Sequence, residues 1–129
     1  MREADLQVLV ADYIRFNYPS VLFHSDFGSG VKLTMGQAIK QKRQNGGRRA
    51  WPDMFIAEPK KKQGKTYHGL FIELKKEDTK IYKKDGTLVA NEHIREQYDT
   101  MQQLRQAGYY ADFACGRNAA KSLIDWYLA

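Results

Sequence analysis

The 129-residue chain is the length of one domain and is long enough to bury a hydrophobic core, and its 43% hydrophobic, 28% charged composition is that of a globular protein. A lone cysteine, Cys115, excludes an internal disulfide scaffold, and no apolar run reaches the roughly 18–20 residues of a membrane span. The net charge of +6 is unevenly placed: between Lys32 and Lys65 ten basic residues face two acids, Asp53 and Glu58, so nucleic acid is the first partner to consider.

Met1, Arg2, Glu3, Ala4 and Asp5 read as a helix start carrying two acids rather than as a signal peptide, which predicts a cytoplasmic protein. From Glu3 to Phe16, residues Leu6, Leu9, Val10, Tyr13 and Ile14 recur at helical spacing until Asn17, Tyr18 and Pro19 end the pattern. Glu3 and Gln7 share a stripe with Val10 and Ile14, which places a polar pair on the inward side. Val21, Leu22 and Phe23 predict a short strand, and Asp26 to Gly30 breaks regular structure. Residues 31–51 predict a long connection holding one short helix, Met35 to Gln44, followed by Gly46, Gly47 and the basic pair Arg48 and Arg49. A connection of that length is functional or disordered.

Asp53 to Ala57 and Tyr67 to Lys75 predict two strands joined by a loop from Glu58 to Thr66, and their apolar density predicts burial on both faces. Lys83, Lys84, Asp85 and Gly86, between Ile81-Tyr82 and Leu88-Val89, predict a small hairpin. Asn91 caps a helix whose inward stripe is Ile94, Gln97 or Tyr98, Met101 and Leu104, with Gly108 as the stop. Tyr109 to Ala114 predicts a further strand. A last helix starts at Asn118 and packs through Leu123, Trp126 and Tyr127. The whole predicts a single domain over residues 1–129, an α/β sandwich with a mixed sheet.

Charges inside the strands carry the chemistry. Period-two alternation puts Leu70, Ile72 and Leu74 on one sheet face and Phe71, Glu73 and Lys75 on the other. If the two strands are neighbours in register, Asp53 approaches Glu73, and two carboxylates that close repel unless a cation or a proton lies between them. A hard divalent ion meets that demand, because it favours carboxylate oxygens, retained waters and substrate phosphates. An ion there would lower the pKa of a bound water and stabilise charge on phosphorus, with the Lys75 ammonium orienting water or phosphate. That chemistry is phosphodiester hydrolysis. Acid-x-Lys also occurs at Glu58-Pro59-Lys60 and Asp78-Thr79-Lys80, but only Glu73 lies within an apolar strand; by itself Glu73-Leu74-Lys75 also reads as a cross-strand ion pair.

Pro52-Asp53 followed by Glu73-Leu74-Lys75 resembles the PD-(D/E)XK nuclease signature. The finer pattern resembles the VRR-NUC branch: Glu3 to Gln7 in the first helix, Gly69 to Lys76 in the core strand, Gly86-Thr87-Leu88, then Gln97, Leu104 and Gly108. The resemblance implies a restriction-endonuclease-like α/β/α core with a mixed central sheet, Mg²⁺ or Mn²⁺ dependence, and cleavage of branched DNA such as four-way (Holliday) junctions. It implies that Asp53, Glu73 and the Leu74 carbonyl hold the metal, that Glu3 reaches it directly or through water with Gln7 as its partner, that Lys75 is the catalytic lysine and that Gln97 supports the site. Lys32, Lys40, Lys42, Arg43, Arg48, Arg49 and Lys76 are the candidate DNA-binding residues. The likeness is to the short stand-alone form of phages and bacteria, which acts as a homodimer. One departure stands out: Ala50 precedes Trp51-Pro52-Asp53 where the pattern commonly has glycine.

Two other readings follow from the same residues, a non-catalytic DNA-binding module that keeps the fold and a sequence-specific restriction-type endonuclease. A binding module gains nothing from clustered negative charge facing phosphate. His24, His68 and His93 lack the spacing of a zinc helix, and Phe27 to Lys32 lacks the full phosphate-loop pattern. Ser25 and Asp26 beside His24 do not define a triad, and Tyr109, Tyr110 and Phe113 read first as core aromatics.

Overall fold

Leu6, Val10 and Ile14 recur every four residues and bury together, which is why the first segment folds as a helix against a sheet rather than alone. Glu3 and Asp5 in its first turn complement the positive end of the helix, and the Tyr18 amide closes its far end on the Ile14 carbonyl at 2.8 Å. A computed structural model describes residues 1–26 and 33–129. Its elements are α1 (Glu3–Asn17), β1 (Phe23–Ser25), α2 (Met35–Gln44), β2 (Met54–Ile56), β3 (Lys60–Lys62), β4 (Lys65–Tyr67), β5 (Leu70–Lys75), α3 (Glu92–Gln106), β6 (Tyr110–Cys115) and α4 (Arg117–Leu128). Most of the expected break between Asp26 and Gly30, and Lys32 with it, lie outside the described residues.

The main sheet has the order β1-β2-β5-β6, with β1, β2 and β5 antiparallel in turn and β5 parallel to β6. Alternation along β5 sends Leu70, Ile72 and Leu74 to one face, where they join Met54 and Ile56, Leu6, Val10 and Ile14 of α1, and Ile124 and Tyr127 of α4. On the other face Phe71 packs with Met101 and Leu104 of α3. The result is the expected α/β/α arrangement with a mixed central sheet. Each fully buried Leu or Ile contributes roughly 1.5–3 kcal/mol, so the apolar face of β5 is the main anchor of the sheet. Tyr13 and Tyr18 both donate to the Asp125 carboxylate, at 2.7 and 2.6 Å, and tie α1 to α4.

Several boundaries differ from the sequence reading. The first strand is Phe23–Ser25, two residues later than its apolar run, because the Val21 amide turns back onto the Tyr18 carbonyl and β1 is a half-exposed strand at the sheet's edge. The expected loop from Glu58 to Thr66 contains a separate ribbon, β3–β4, closed by Gln63 and Gly64 with φ of 53° and 79°. Two successive positive φ values are the mark of a tight hairpin turn whose twist suits the strands. Tyr67 belongs to this ribbon, and β5 begins only at Leu70. The hairpin around Gly86 is reduced to a single bridge, Tyr82 to Leu88. In α4 the buried residues are Ala120, Ile124, Tyr127 and Leu128; Trp126 is 37% exposed. Among the described residues no helix is long and apolar enough to cross a membrane.

Candidate active site

Asp53 and Glu73 meet because of register. Met54 pairs with Ile72 in the antiparallel β2–β5 ladder, so one step further Asp53 faces Glu73 on the side of the sheet that carries Phe55 and Phe71. The Leu74 amide donates to Asp53 Oδ2 at 2.8 Å and the Asp26 amide to the Asp53 carbonyl at 2.7 Å, fixing both ends of that residue. The two carboxyls are close enough for each to shift the other's hold on a proton. Glu73 is 3% and Lys75 6% exposed, and Lys75 Nζ stands 3.9 Å from Glu73 Oε2, close enough for Coulombic attraction and too far for a hydrogen bond.

Burial is the largest influence on both acids and raises both above their usual range. For Glu73 the charge of Asp53 adds to the rise, and Lys75 opposes it. The pair therefore retains a proton, or takes up a cation in its place.

Glu3, in the first turn of α1, lines the same cleft, of about 560 Å³, as Asp53, Glu73, His93 and Gln97. Gln7 turns elsewhere: its Nε2 donates to Ser25 Oγ and to the Asp26 carbonyl, holding the end of β1. Gln97 is 5% exposed, with its Nε2 3.2 Å from His93 Nε2. His93 is one residue of this cleft that sequence reasoning missed; its place one helical turn before Gln97 was the available signal.

The candidate phosphate-binding residues divide into groups. Lys42, Arg48 and Arg49 line the cleft. Lys40 and Arg43 are exposed on α2, a helix with a Thr34–Gln37 capping box and no buried residue. Arg48 is already engaged, donating to Thr100 Oγ1 at 2.9 Å and to Gln103 Oε1 at 3.0 Å, so it fastens this connection to α3. Arg49 reaches Glu96 at 3.9 Å as an exposed pair worth little to stability. Lys76 lies past the end of β5 beside Arg2, Glu77 and Arg117, outside the cleft. Lys32 is outside the described residues.

Ala50 has a φ of 65°, the left-handed region that suits glycine. The backbone turn ahead of Asp53 is thus made without the usual residue, at the cost of crowding between Cβ and the neighbouring carbonyl. Ala50→Gly is expected to raise stability by about 1 kcal/mol, the relief of that crowding less the freedom glycine returns to the unfolded chain. The midpoint of urea unfolding reads the change, and a lower midpoint would show that the alanine is unstrained.

The donor set suits a hard divalent ion. Among the described residues no three His, Cys, Asp or Glu side chains gather closely enough to hold an ion by themselves, so the anionic donors of the cleft floor are the pair Asp53 and Glu73. Two buried oxygens, Glu73 Oε1 and Gln97 Oε1, have no hydrogen-bond partner. A buried acceptor without a donor costs roughly 1–3 kcal/mol. Paired carboxyls and orphan oxygens fit an ion that keeps much of its hydration.

No protein-family profile and no curated protein matches this chain. Among solved structures, a VRR_NUC domain protein is similar at a TM-score of 0.67, with 23% identity over 99% of this chain and 88% of its own. At that identity the likeness establishes a shared fold, and the fold is the one that the sequence resemblance implied.

Proposed function

We propose that the protein is a divalent-metal-dependent endodeoxyribonuclease of the VRR-NUC type that cuts branched DNA. The observation that carries this reading is the meeting of Asp53 and Glu73 in a cleft walled by basic residues, with the buried Lys75 ammonium 3.9 Å from Glu73 behind them. The fold shared with a VRR_NUC domain protein supports it.

A divalent ion held by Asp53 and Glu73, with the Leu74 carbonyl beside them, would neutralise charge on the phosphate and lower the pKa of water. The chain's own groups do the remainder. The Leu74 amide holds Asp53 in place, so its carboxylate need not reorganise. Lys75 presents an ammonium from a desolvated position, where its field is strong, and orients the nucleophile or a phosphate oxygen. Gln97 offers an amide at the cleft wall to the same water or phosphate, and Glu3 adds negative charge at the rim.

The test is cleavage of labelled four-way junction, flap, single strand and linear duplex, with Mg²⁺, Mn²⁺ or EDTA, by the native chain and by Asp53→Ala and Lys75→Ala. The expected result is metal-dependent cutting that favours branched substrates and is absent in both variants. Cutting in EDTA or by Asp53→Ala overturns the metal reading; binding without cutting makes the protein a DNA-binding module, and preference for one duplex sequence makes it a restriction-type enzyme. A homodimer would place two such clefts across a junction, and light scattering on the eluting gel-filtration peak tests that.

The basic residues separate by role. Lys40→Ala, Lys42→Ala and Arg43→Ala combined are expected to make the salt dependence of DNA binding shallower, by about 0.9 in slope for each phosphate no longer neutralised, with the unfolding midpoint unchanged. Arg48→Ala is expected to lower that midpoint, because it releases two hydrogen bonds to α3.

A further inference from the structure

The cleft has an apolar wall as well as an acidic floor, and phosphate chemistry accounts only for the floor. Trp51 lies two residues before Asp53 and is 39% exposed despite its size. Phe71 backs it, with ring centroids 6.1 Å apart and planes at 49°. Phe71 is itself stacked on Phe55 at 4.4 Å and meets the edge of Tyr109 at 5.2 Å. One side of the indole is thus held by a fixed aromatic row while the rest is open to the cleft. The same cleft is lined by Ile39 of α2, which is 57% exposed.

We propose that Trp51 is a stacking platform for an unpaired nucleobase next to the scissile phosphate, with Ile39 lining the same slot. The inference rests on the nuclease reading of this cleft and narrows its substrate class. An apolar surface between Lys42 and Arg49 on one hand and a phosphodiester-cleaving acid pair on the other matches a nucleotide, which joins a flat apolar base to a phosphate. A base inside a duplex has both faces covered by its neighbours and presents none to an indole. A base splayed at a flap or at a junction between single and double strand does, and aromatic stacking accepts any base because each has a π face.

The experiment uses the chain carrying Trp126→Phe, which leaves Trp51 as the fluorescent indole; Trp126 lies on α4 beside Tyr110, away from the cleft. The protein is titrated in EDTA at low salt with a flapped duplex, the same duplex made abasic at the first unpaired position, and a fully paired duplex. The expected result is strong quenching by the flap and little by the abasic or paired DNA. Trp51→Ala is expected to weaken flap binding about tenfold and paired-duplex binding by less than about twofold, with Trp51→Phe between the native chain and the alanine variant. Equal quenching by flap and abasic DNA, or equal losses on flap and duplex in Trp51→Ala, overturns the platform. The quenching comparison needs no Trp51 variant, so poor folding of Trp51→Ala leaves the test intact. If the flap quenches as expected while no DNA is cut with Mg²⁺ or Mn²⁺, the nuclease reading falls and the base platform stands.

Discussion

Glu73→Gln is expected to abolish DNA cleavage while making the metal-free protein more stable at neutral pH. Loss of the second carboxylate removes half of the anionic grip on a divalent ion, and an ion that supplies several kcal/mol to the transition state corresponds to ~10³-fold or more in rate. The stability gain comes from the same side chain. Glu73 is buried, faces Asp53 and is raised well above its ordinary 4.5, by burial first and by the charge of Asp53 second. A carboxyl with a raised folded pKa stabilises the fold fully below its unfolded value and loses that contribution as pH climbs toward the folded one. The native metal-free chain is therefore expected to lose stability from about pH 4.5 upward through neutrality, by at most ~1.4 kcal/mol per pH unit for this group.

Glutamine keeps the shape, offers Asp53 an N–H hydrogen bond at every pH and carries no charge, so the decline should flatten. Urea unfolding at pH 5 and pH 8, in EDTA, checks it. Saturating Mg²⁺ should restore the native chain's stability at pH 8 and do little for Glu73→Gln. A native chain as stable at pH 8 as at pH 5 would mean that the two acids do not share a buried site.

The legible part of this site was its periodicity. Alternation along β5 placed Glu73 and Lys75 on one face without any knowledge of the partner strand, and the antiparallel register of β2 then set Asp53 opposite Glu73. The same rule explains the misses. The β3–β4 ribbon is built from Lys60, Lys61, Lys62, Lys65, Thr66 and Tyr67, with one aromatic and no apolar alternation, so its strands are specified by the Gln63-Gly64 turn rather than by burial. The charge of Arg48 is visible in sequence, whereas its bonds to two acceptors on α3, more than fifty residues away along the chain, are not. Trp126 looked like core because it is apolar; it packs against Tyr110 while its other side meets Lys62 and solvent. Ala50 shows the reverse case. A position that reads as a departure from a glycine pattern retains the glycine conformation, since Arg48, fastened to α3 on one side, and β2 on the other dictate the turn between them.

Lys75→Met is expected to lower cleavage by roughly 10²–10³-fold while leaving divalent-ion uptake intact or tighter. Methionine matches the length of the lysine stem and suits a site that is 6% exposed, so packing is largely kept. What disappears is the ammonium 3.9 Å from Glu73 Oε2, a charge that opposes the rise in the Glu73 pKa by lowering it. In EDTA the variant should lose stability between pH 5 and pH 8 much as the native chain does, because Glu73, pushed up to about 10 and no longer lowered by Lys75, keeps its proton across that range. Isothermal titration with Mg²⁺ then separates two roles for the lysine. If Lys75 serves only to offset the carboxylates, a bound divalent ion replaces it, and saturating Mg²⁺ restores stability and cleavage together. If Lys75 acts on the water or the phosphate, Mg²⁺ restores stability at pH 8 and single-turnover cleavage stays low. The second outcome is the one expected, because a cation placed on the acid pair would not also stand where the proposed role puts the Lys75 ammonium.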